Sequence, residues 1–141
     1  MRFAGYAAVF DRPDRGGDVV RPGAFARALK RGAGAVPLLW QHEAGKPIGR
    51  IEHLSEDMRG LRVIASLSAS ANGREAAGLL GEGVVTGLSF GYRVREAKGA
   101  AATGEGAGLR ELIDLDLVEV SLVTLPMQPK ARVHSIERSG G

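Results

Sequence analysis

Ser89 is the residue of this sequence whose surroundings most suggest covalent chemistry. It lies between two glycines in the run Gly87-Leu88-Ser89-Phe90-Gly91-Tyr92, and the alternation that continues to Arg95 is typical of a β-strand. A serine on a strand can act as a nucleophile, and glycines beside it would let the backbone of a substrate approach closely. It can equally be an ordinary serine in a glycine-rich turn. The rest of the chain must decide between these two interpretations.

A nucleophilic serine needs a base, and the chain has 3 histidines. His42 ends the strongly apolar run 36–42, where the end of a strand could present it to a cleft. The alternative for His42 is a partly buried imidazole whose hydrogen bonds are satisfied. His53 lies in an alternating segment and His134 in a polar one, so we expect both on the surface.

A base of this kind also needs a group that orients it and stabilises its charged form. The acidic candidates are Asp114, Asp116 and Glu119. Glu119 lies in the apolar run 117–123, where an unpaired carboxylate would be costly to bury. It could orient a histidine, or it could form a structural ion pair with an arginine.

The run 87–91 also satisfies the pattern G-x-S-x-G, and Ser89, Asp114 and His134 occur in the chain order of α/β-hydrolases. That pattern requires a strand, a sharp turn and then a helix. Here a strand pattern follows the serine, and a chain of 141 residues with few helical segments is too short for that sheet. We therefore exclude an α/β-hydrolase.

Periodicity and turn residues predict the elements that would position these groups. Two short helices are predicted, over 26–31 with a stop at Gly32, and over 72–80 with a cap at Asn72. A turn is predicted at 43–46. Extended segments are predicted over 3–10, 19–20, 36–42, 47–54, 61–67, 87–95 and 109–125. This content predicts an α+β, mostly β class, in the form of a small β-barrel with two appended helices.

The domain organisation follows from composition. We predict a single domain over 1–134, with a mobile loop near 97–108 because that stretch is made of small residues that bury little surface. The polar segment 135–141 is predicted to be a flexible tail.

Several classes of function are excluded by composition and spacing. Cysteine is absent, so disulfides and thiolate metal sites are not expected; histidines at ligand spacing, a P-loop and a dinucleotide fingerprint are absent as well, so we predict no metal and no cofactor. The net charge of +3 comes without a dense basic run, so direct nucleic-acid binding is not expected. No apolar run approaches transmembrane length and no signal peptide is apparent, so we expect no membrane association.

Four segments, taken in order, resemble the HK97-type phage prohead (capsid maturation) protease family. They are 18–25, 39–42 together with 47–49, 83–92 and 117–126. This family is similar in fold to the herpesvirus assembly proteases, a β-barrel with surrounding helices. The sequence departs from the family at Met127-Gln128-Pro129, where members more often have Ala-Asn-Pro, and this affects the turn after the last long strand.

The resemblance implies a serine endopeptidase in which Ser89 is the nucleophile, His42 the base and Glu119 the third member. It implies cleavage of scaffold or of an N-terminal part of the major capsid protein during procapsid maturation, with self-cleavage, inside the procapsid in the cytoplasm of a bacterial host. The particle could belong to a phage, a prophage or a gene transfer agent. Association into a homo-oligomer is left open.

Two other hypotheses come from different classes of protein. One is a non-catalytic capsid assembly or scaffolding module on the same barrel. The other is a structural β-barrel binding protein, which predicts His42 and Ser89 on opposite faces.

Overall fold

The computed structural model describes residues 1–99 and 109–138. Two helices are present, α1 (Ala26–Arg31) and α2 (Ala71–Gly81), with a 3₁₀ turn at Ala33–Ala35. The strands are β1 (Arg2–Val9), β2 (Asp18–Val20), β3 (Pro37–Trp40), β4 (Glu43–Glu56), β5 (Gly60–Leu67), β6 (Gly87–Lys98), β7 (Arg110–Val123) and β8 (Val133–Glu137). None of the helices in these ranges is long and apolar enough to cross a membrane.

The 8 strands form one sheet in the order β2-β7-β3-β4-β5-β1-β8, with β6 paired to β7 outside this path. Most neighbours are antiparallel, but β2 and β3 both run parallel to β7. Among the described residues, the two ends of the sheet are joined by an isolated bridge between Gly87 and Arg132, and by no paired strands. The predicted mostly β class is therefore confirmed, whereas "barrel" describes a curved sheet that strand pairing does not close.

Strand β7 is the centre of this arrangement. β6 pairs with it over nearly its whole length, from Lys98 opposite Glu111 to Gly87 opposite Val123. A strand has only two edges, so β2 and β3 must share the other one, β2 at the beginning of β7 and β3 near its end. β7 buries apolar side chains that include Leu112, Leu115 and Leu122 in the core, and irregularities in its pairing with β6 interrupt a strict alternation.

Helix α1 and an aromatic cluster pack on the same core. The helix follows Phe25, which is fully buried, and ends at Gly32, whose φ of 94° is a conformation that glycine adopts without strain. Phe25 packs edge-on against Phe90, with ring centroids 5.2 Å apart, and Phe90 in turn contacts Tyr92 at 4.9 Å. This cluster fixes the part of β6 that follows Ser89.

Three local predictions are wrong. The turn predicted at 43–46 lies instead at Gln41 and His42, because Trp40 pairs directly with Glu43 and leaves a two-residue loop. Helix α2 is capped by Ser70, whose hydroxyl accepts a hydrogen bond from the Gly73 N–H at 3.1 Å, and not by Asn72.

The third wrong prediction is the flexible tail at the polar end of the chain. The strand β8 continues to Glu137 and pairs with β1, so the segment predicted as a tail from 135 is partly a strand. Its side chains after Val133 are exposed, and an edge strand of this kind needs no apolar alternation to pair through its backbone. Residues 100–108 of the predicted mobile loop and 139–141 of the predicted tail lie outside the described residues.

Candidate active site

The candidate groups come from β7 and its two neighbours. Glu119 and Ser121 lie on β7 itself. Ser89 lies on β6, directly opposite Ser121 in the register. On the other edge, Trp40 of β3 pairs with Leu122, which delivers the loop after β3 to the same end of β7. Residues far apart in the sequence therefore converge because three adjacent strands carry them.

His42 lies in the two-residue loop between β3 and β4. Gln41 and His42 have φ values of 53° and 62°, and a two-residue hairpin loop with both residues at positive φ matches the twist of its strands. Non-glycine residues are uncommon in this region. Two hydrogen bonds hold the loop against β7: Gln41 N–H donates to the Leu122 carbonyl at 2.9 Å, and His42 N–H donates to Ser121 Oγ at 3.1 Å.

A carboxylate joins the histidine to the same serine. His42 Nδ1 lies 2.5 Å from Glu119 Oε1, and Ser121 Oγ donates to Glu119 Oε2 at 2.6 Å. Ser121 Oγ also accepts the His42 N–H, so its single proton is committed to the carboxylate. Both oxygens of Glu119 thus have partners, and the alternative of an ion pair between Glu119 and an arginine is wrong.

The electrostatics of this pair suit a base. Glu119 is buried, at 7% exposure, whereas the His42 side chain is 45% exposed. The hydrogen bond that His42 donates to Glu119 raises the pKa of His42 above its ordinary value, an effect that partial burial opposes. With its Nδ1–H donated to the carboxylate, neutral His42 keeps Nε2 as an acceptor. The imidazole is therefore oriented and can take up a proton at Nε2.

Ser89 and His42 line one pocket of about 360 Å³. Ser89 is buried, at 6% exposure, and lies within β6 with strand on both sides, so the interpretation of Ser89 as a turn residue is wrong. No hydrogen bond joins its hydroxyl to His42 in the described structure. Catalytic hydrogen bonds are often long in the absence of substrate and tighten in the complex. The hypothesis that His42 and Ser89 lie on opposite faces is not supported.

The two glycines beside Ser89 have a structural role that differs from the one predicted. A Cβ on Gly91 would lie 2.6 Å from Glu119 Oε1, and a Cβ on Gly87 would lie 2.7 Å from the Val123 carbonyl and 2.8 Å from Pro126. The space above Gly91 is thus occupied by the buried carboxylate, its cross-strand partner. These glycines admit the protein's own groups, and not the backbone of a substrate.

The other candidates lie away from this cluster. Asp114 pairs with Arg27 at 2.9 Å, and Asp116 with Arg95 at 2.8 Å. His53 and His134 are exposed, as predicted, and neither lines the pocket. Among the described residues, no group of three or more His, Cys, Asp or Glu could hold a metal ion.

Two loops form the walls of the pocket. The segment 11–17 and the segment 124–130 are tied together by Gln128, whose amide donates to the carbonyls of Arg12 and Pro13 at 3.2 and 3.1 Å. Gln128 Oε1 accepts from the Lys130 N–H, and Arg15 N–H donates to the Met127 carbonyl. Gln128 is buried, at 8% exposure, so this departure from the family pattern acts as a link between the walls.

The sequence analysis did not single out Ser121, and it noted Gln128 only as a departure from the family pattern, without a role in the site. Ser121 could have been found from its position, since it lies two residues after Glu119 on the same face of a strand. No local sequence pattern indicates the role of Gln128, because its partners Arg12 and Pro13 lie 116 and 115 residues earlier in the chain.

Comparison with known proteins identifies a family and several relatives. A family model described as "Caudovirus prohead serine protease" matches residues 1–140. The prohead protease of Enterobacteria phage HK97 is 35% identical over 94 residues, which is 65% of this chain and 42% of that protein. The capsid polyprotein of Pseudomonas phage PAJU2 is 29% identical over 132 residues, which is 89% of this chain and 18% of that protein. The chain thus spans less than half the length of these relatives.

Two solved structures share the fold. The KSHV protease in complex with a hexapeptide phosphonate inhibitor aligns with a TM-score of 0.64 at 14% identity, covering 94% of this chain and 63% of that one. The varicella-zoster virus protease aligns with a TM-score of 0.54 at 13% identity, covering 94% and 62%. At these identities the likeness concerns the fold alone.

Proposed function

Because the chain belongs to the Caudovirus prohead serine protease family, we propose that it is a serine endopeptidase that uses Ser89, His42 and Glu119. The observation that carries this proposal is the hydrogen bond between His42 Nδ1 and the buried Glu119, with the imidazole and Ser89 lining one pocket. A carboxylate that fixes the tautomer of a histidine, with a serine lining the same pocket, is the arrangement that acyl transfer requires.

The proposed chemistry has two stages. His42 Nε2 takes the proton of the Ser89 hydroxyl as Oγ attacks the scissile carbonyl, and the resulting imidazolium protonates the leaving amine. Water then repeats the sequence on the acyl-enzyme and releases the second product. Glu119 stabilises the imidazolium in both stages, and Ser121 keeps the carboxylate in the orientation that this requires.

The proposed substrate is scaffold or an N-terminal segment of the major capsid protein, with self-cleavage, inside the procapsid in the host cell. The names of the two relatives, a prohead protease and a capsid polyprotein, support this choice. Association into a homo-oligomer stays a prediction of the sequence.

Co-expression with the capsid and scaffold proteins encoded beside this gene tests the proposal. We expect a shortened capsid or scaffold band with the parent protein and no shortening with Ser89→Ala. Ser55→Ala is the matched control, because Ser55 is an exposed serine on β4 outside the pocket. Processing that survives Ser89→Ala would contradict the proposal.

A phosphonate that reacts with activated serines distinguishes an enzyme from a non-catalytic assembly module. We expect one adduct, on Ser89, that is lost in His42→Ala. A folded protein that is not labelled, either alone or in assembled particles, would favour the assembly module.

A further inference from the structure

The pocket beside Ser89 has an apolar floor that the catalytic groups do not use. Ala7, Ala8 and Val9 of β1 and Val20 of β2 line it, and each is buried. Small side chains at these positions leave space above the sheet. A volume of about 360 Å³ lies within the range of pockets that hold a ligand group, roughly 300–1,000 Å³.

The rim of the pocket carries two exposed apolar side chains. Leu125 is 66% exposed and Met127 is 51% exposed, and both belong to the wall 124–130. Apolar side chains exposed together at the edge of an apolar cavity indicate a surface that a ligand covers. Because Gln128 fixes this wall to the segment 11–17, the pocket is formed before a ligand binds.

The charged side chains at the other wall, the segment 11–17 with Asp18 beside it, differ in whether they already have partners within the protein. Asp18 accepts both hydrogen bonds of Arg110, at 2.8 Å each, and Asp14 Oδ1 accepts two backbone N–H groups. Arg12 and Arg15 line the pocket, are exposed, and have no ion pair with any described residue. Asp18 is therefore paired with Arg110, and the charges left at this wall are one carboxylate, Asp14, and the two guanidinium groups of Arg12 and Arg15. The wall thus has an excess of positive charge that is available to a ligand.

We propose that this pocket is a specificity site that binds a large apolar substrate side chain on the carbonyl side of the scissile bond, with an acidic residue immediately before it. The apolar side chain fills the space over Ala7 and Ala8 and lies against Leu125 and Met127. The acidic side chain pairs with Arg12 and Arg15. This inference rests on the proposed function, since it assigns the polypeptide that Ser89 attacks.

The first test measures the rate at which Ser89 is labelled by peptidyl diphenyl phosphonates that differ in the residue at phosphorus. Ser89 Oγ forms a bond to phosphorus and phenolate leaves, so mass spectrometry reports the adduct. We expect leucine and phenylalanine probes to react about tenfold or more faster than alanine, glutamate and lysine probes. Equal rates across the panel, or faster reaction of the glutamate or lysine probe, would overturn the inference.

Exposed residues allow this preference to be tested without loss of folding. Met127→Ala should reduce the advantage of the leucine probe over the alanine probe by about threefold or more, because a methionine stem that covers the ligand is removed. Met58→Ala is the matched control, since Met58 is 99% exposed and does not line the pocket. An identical advantage in Met127→Ala and Met58→Ala would count against the apolar assignment.

The second test varies the preceding residue among glutamate, glutamine and lysine. We expect the glutamate probe to react about two- to fivefold faster than the glutamine probe, with the difference falling as salt is raised. Arg12→Gln and Arg15→Gln should reduce the difference, whereas Arg74→Gln, at an exposed site on α2, should not. A preference that survives in the double variant Arg12→Gln, Arg15→Gln would refute the assignment of these arginines.

The proposed function and the specificity site would be refuted by different results. If Ser89 is labelled and processing depends on it, but no probe is preferred, the specificity site is refuted and the proposed function stands. If a folded protein is labelled by no probe and processing survives Ser89→Ala, the proposed function fails and this inference fails with it.

Discussion

Replacing Ser121 by alanine removes one hydroxyl that holds two members of the proposed triad. Ser121 Oγ donates to Glu119 Oε2 at 2.6 Å and accepts the His42 N–H at 3.1 Å. Ser121 is 0% exposed, so water has no direct access to the place of the missing hydroxyl. Ser121→Ala should therefore leave a buried carboxylate oxygen without its donor and the loop that carries His42 without one of its anchors.

The expected loss of rate follows from the charge on Glu119. A hydrogen bond to a charged group contributes about 1.5–3 kcal/mol. We assume that this stabilisation is lost when the imidazolium forms in the transition state. Because each 1.36 kcal/mol of barrier corresponds to a factor of ten in rate, kcat should fall about 10- to 150-fold. Ser121 does not line the pocket, so KM should stay within about twofold of the parent value, as expected for a group that acts only in the transition state.

The assay is a double-mutant cycle on a peptide that the parent protein cleaves. Steady-state kinetics are compared for Ser121→Ala, Glu119→Gln and the double variant, with thermal unfolding measured on each to establish that it is folded. If Ser121 acts through Glu119, its replacement should cost much less in the Glu119→Gln background. The same factor in both backgrounds, or an unchanged kcat in Ser121→Ala, would refute this reasoning.

Three further predictions follow from the hydrogen bonds and close contacts of the structure. The acid limb of the pH profile of kcat/KM should have its midpoint above 6.5, because Glu119 raises the pKa of His42 and the base must be neutral, and Glu119→Gln should lower that midpoint. Gly91→Ala should reduce kcat/KM at least about tenfold, since the new Cβ would lie 2.6 Å from Glu119 Oε1 and displace the carboxylate. Arg110→Gln should make the protein unfold at higher pH during acid titration. The hydrogen bond from Arg110 lowers the pKa of Asp18, and a lowered pKa contributes stability that is lost as pH falls through the folded-state value.

Each of these predictions has a matched control. The pH midpoint should not move in His134→Gln, because His134 is exposed and outside the pocket. Gly78→Ala should keep full activity and add about 0.5–1 kcal/mol of stability, since a Cβ there meets nothing within 4 Å on the helix surface. Arg27→Gln should change acid unfolding less than Arg110→Gln, because the pair of Arg27 with Asp114 is more exposed.

The outcomes that would contradict these predictions are equally specific. An acid midpoint that stays in place in Glu119→Gln would mean that the carboxylate does not set the pKa of His42. Unchanged activity in Gly91→Ala would mean that Glu119 has room to move without consequence. Acid unfolding of Arg110→Gln and Arg27→Gln at the same pH would mean that the partly buried pair of Arg110 with Asp18 has no special weight.

Much of the fold is predictable because its strands alternate and its turns contain glycine or proline. The strands β6 and β7 and the helix α1 follow from local pattern alone. The loop at Gln41 and His42 does not, since neither residue is among those that usually signal positive φ, and Gly45 nearby suggested a turn instead. Strand β8 was missed because pairing at the edge of a sheet depends on its backbone and leaves no apolar pattern.

The candidate site divides in the same way. Ser89, His42 and Glu119 were each identifiable by residue type, but their roles rested on resemblance, because His42 and Glu119 are 77 residues apart and meet only through the sheet. The prediction that Gly91 gives room to a substrate backbone was wrong for the same reason, because Glu119, which fills that space, lies on another strand. A sequence indicates that a side chain is missing at a glycine, but only the cross-strand neighbour reveals what fills the space.

The central position of β7 has a consequence for the order in which the proposed site is assembled during synthesis. Ser89 and His42 leave the ribosome before β7, and β7 supplies both Glu119 and the two edges to which β6 on one side and β2 and β3 on the other attach. Until it docks, His42 lacks the carboxylate of Glu119, and Ser89 lacks the strand that lies opposite it. Insertion of this one strand therefore joins β2, β3 and β6 and brings the proposed catalytic groups together in the same folding step.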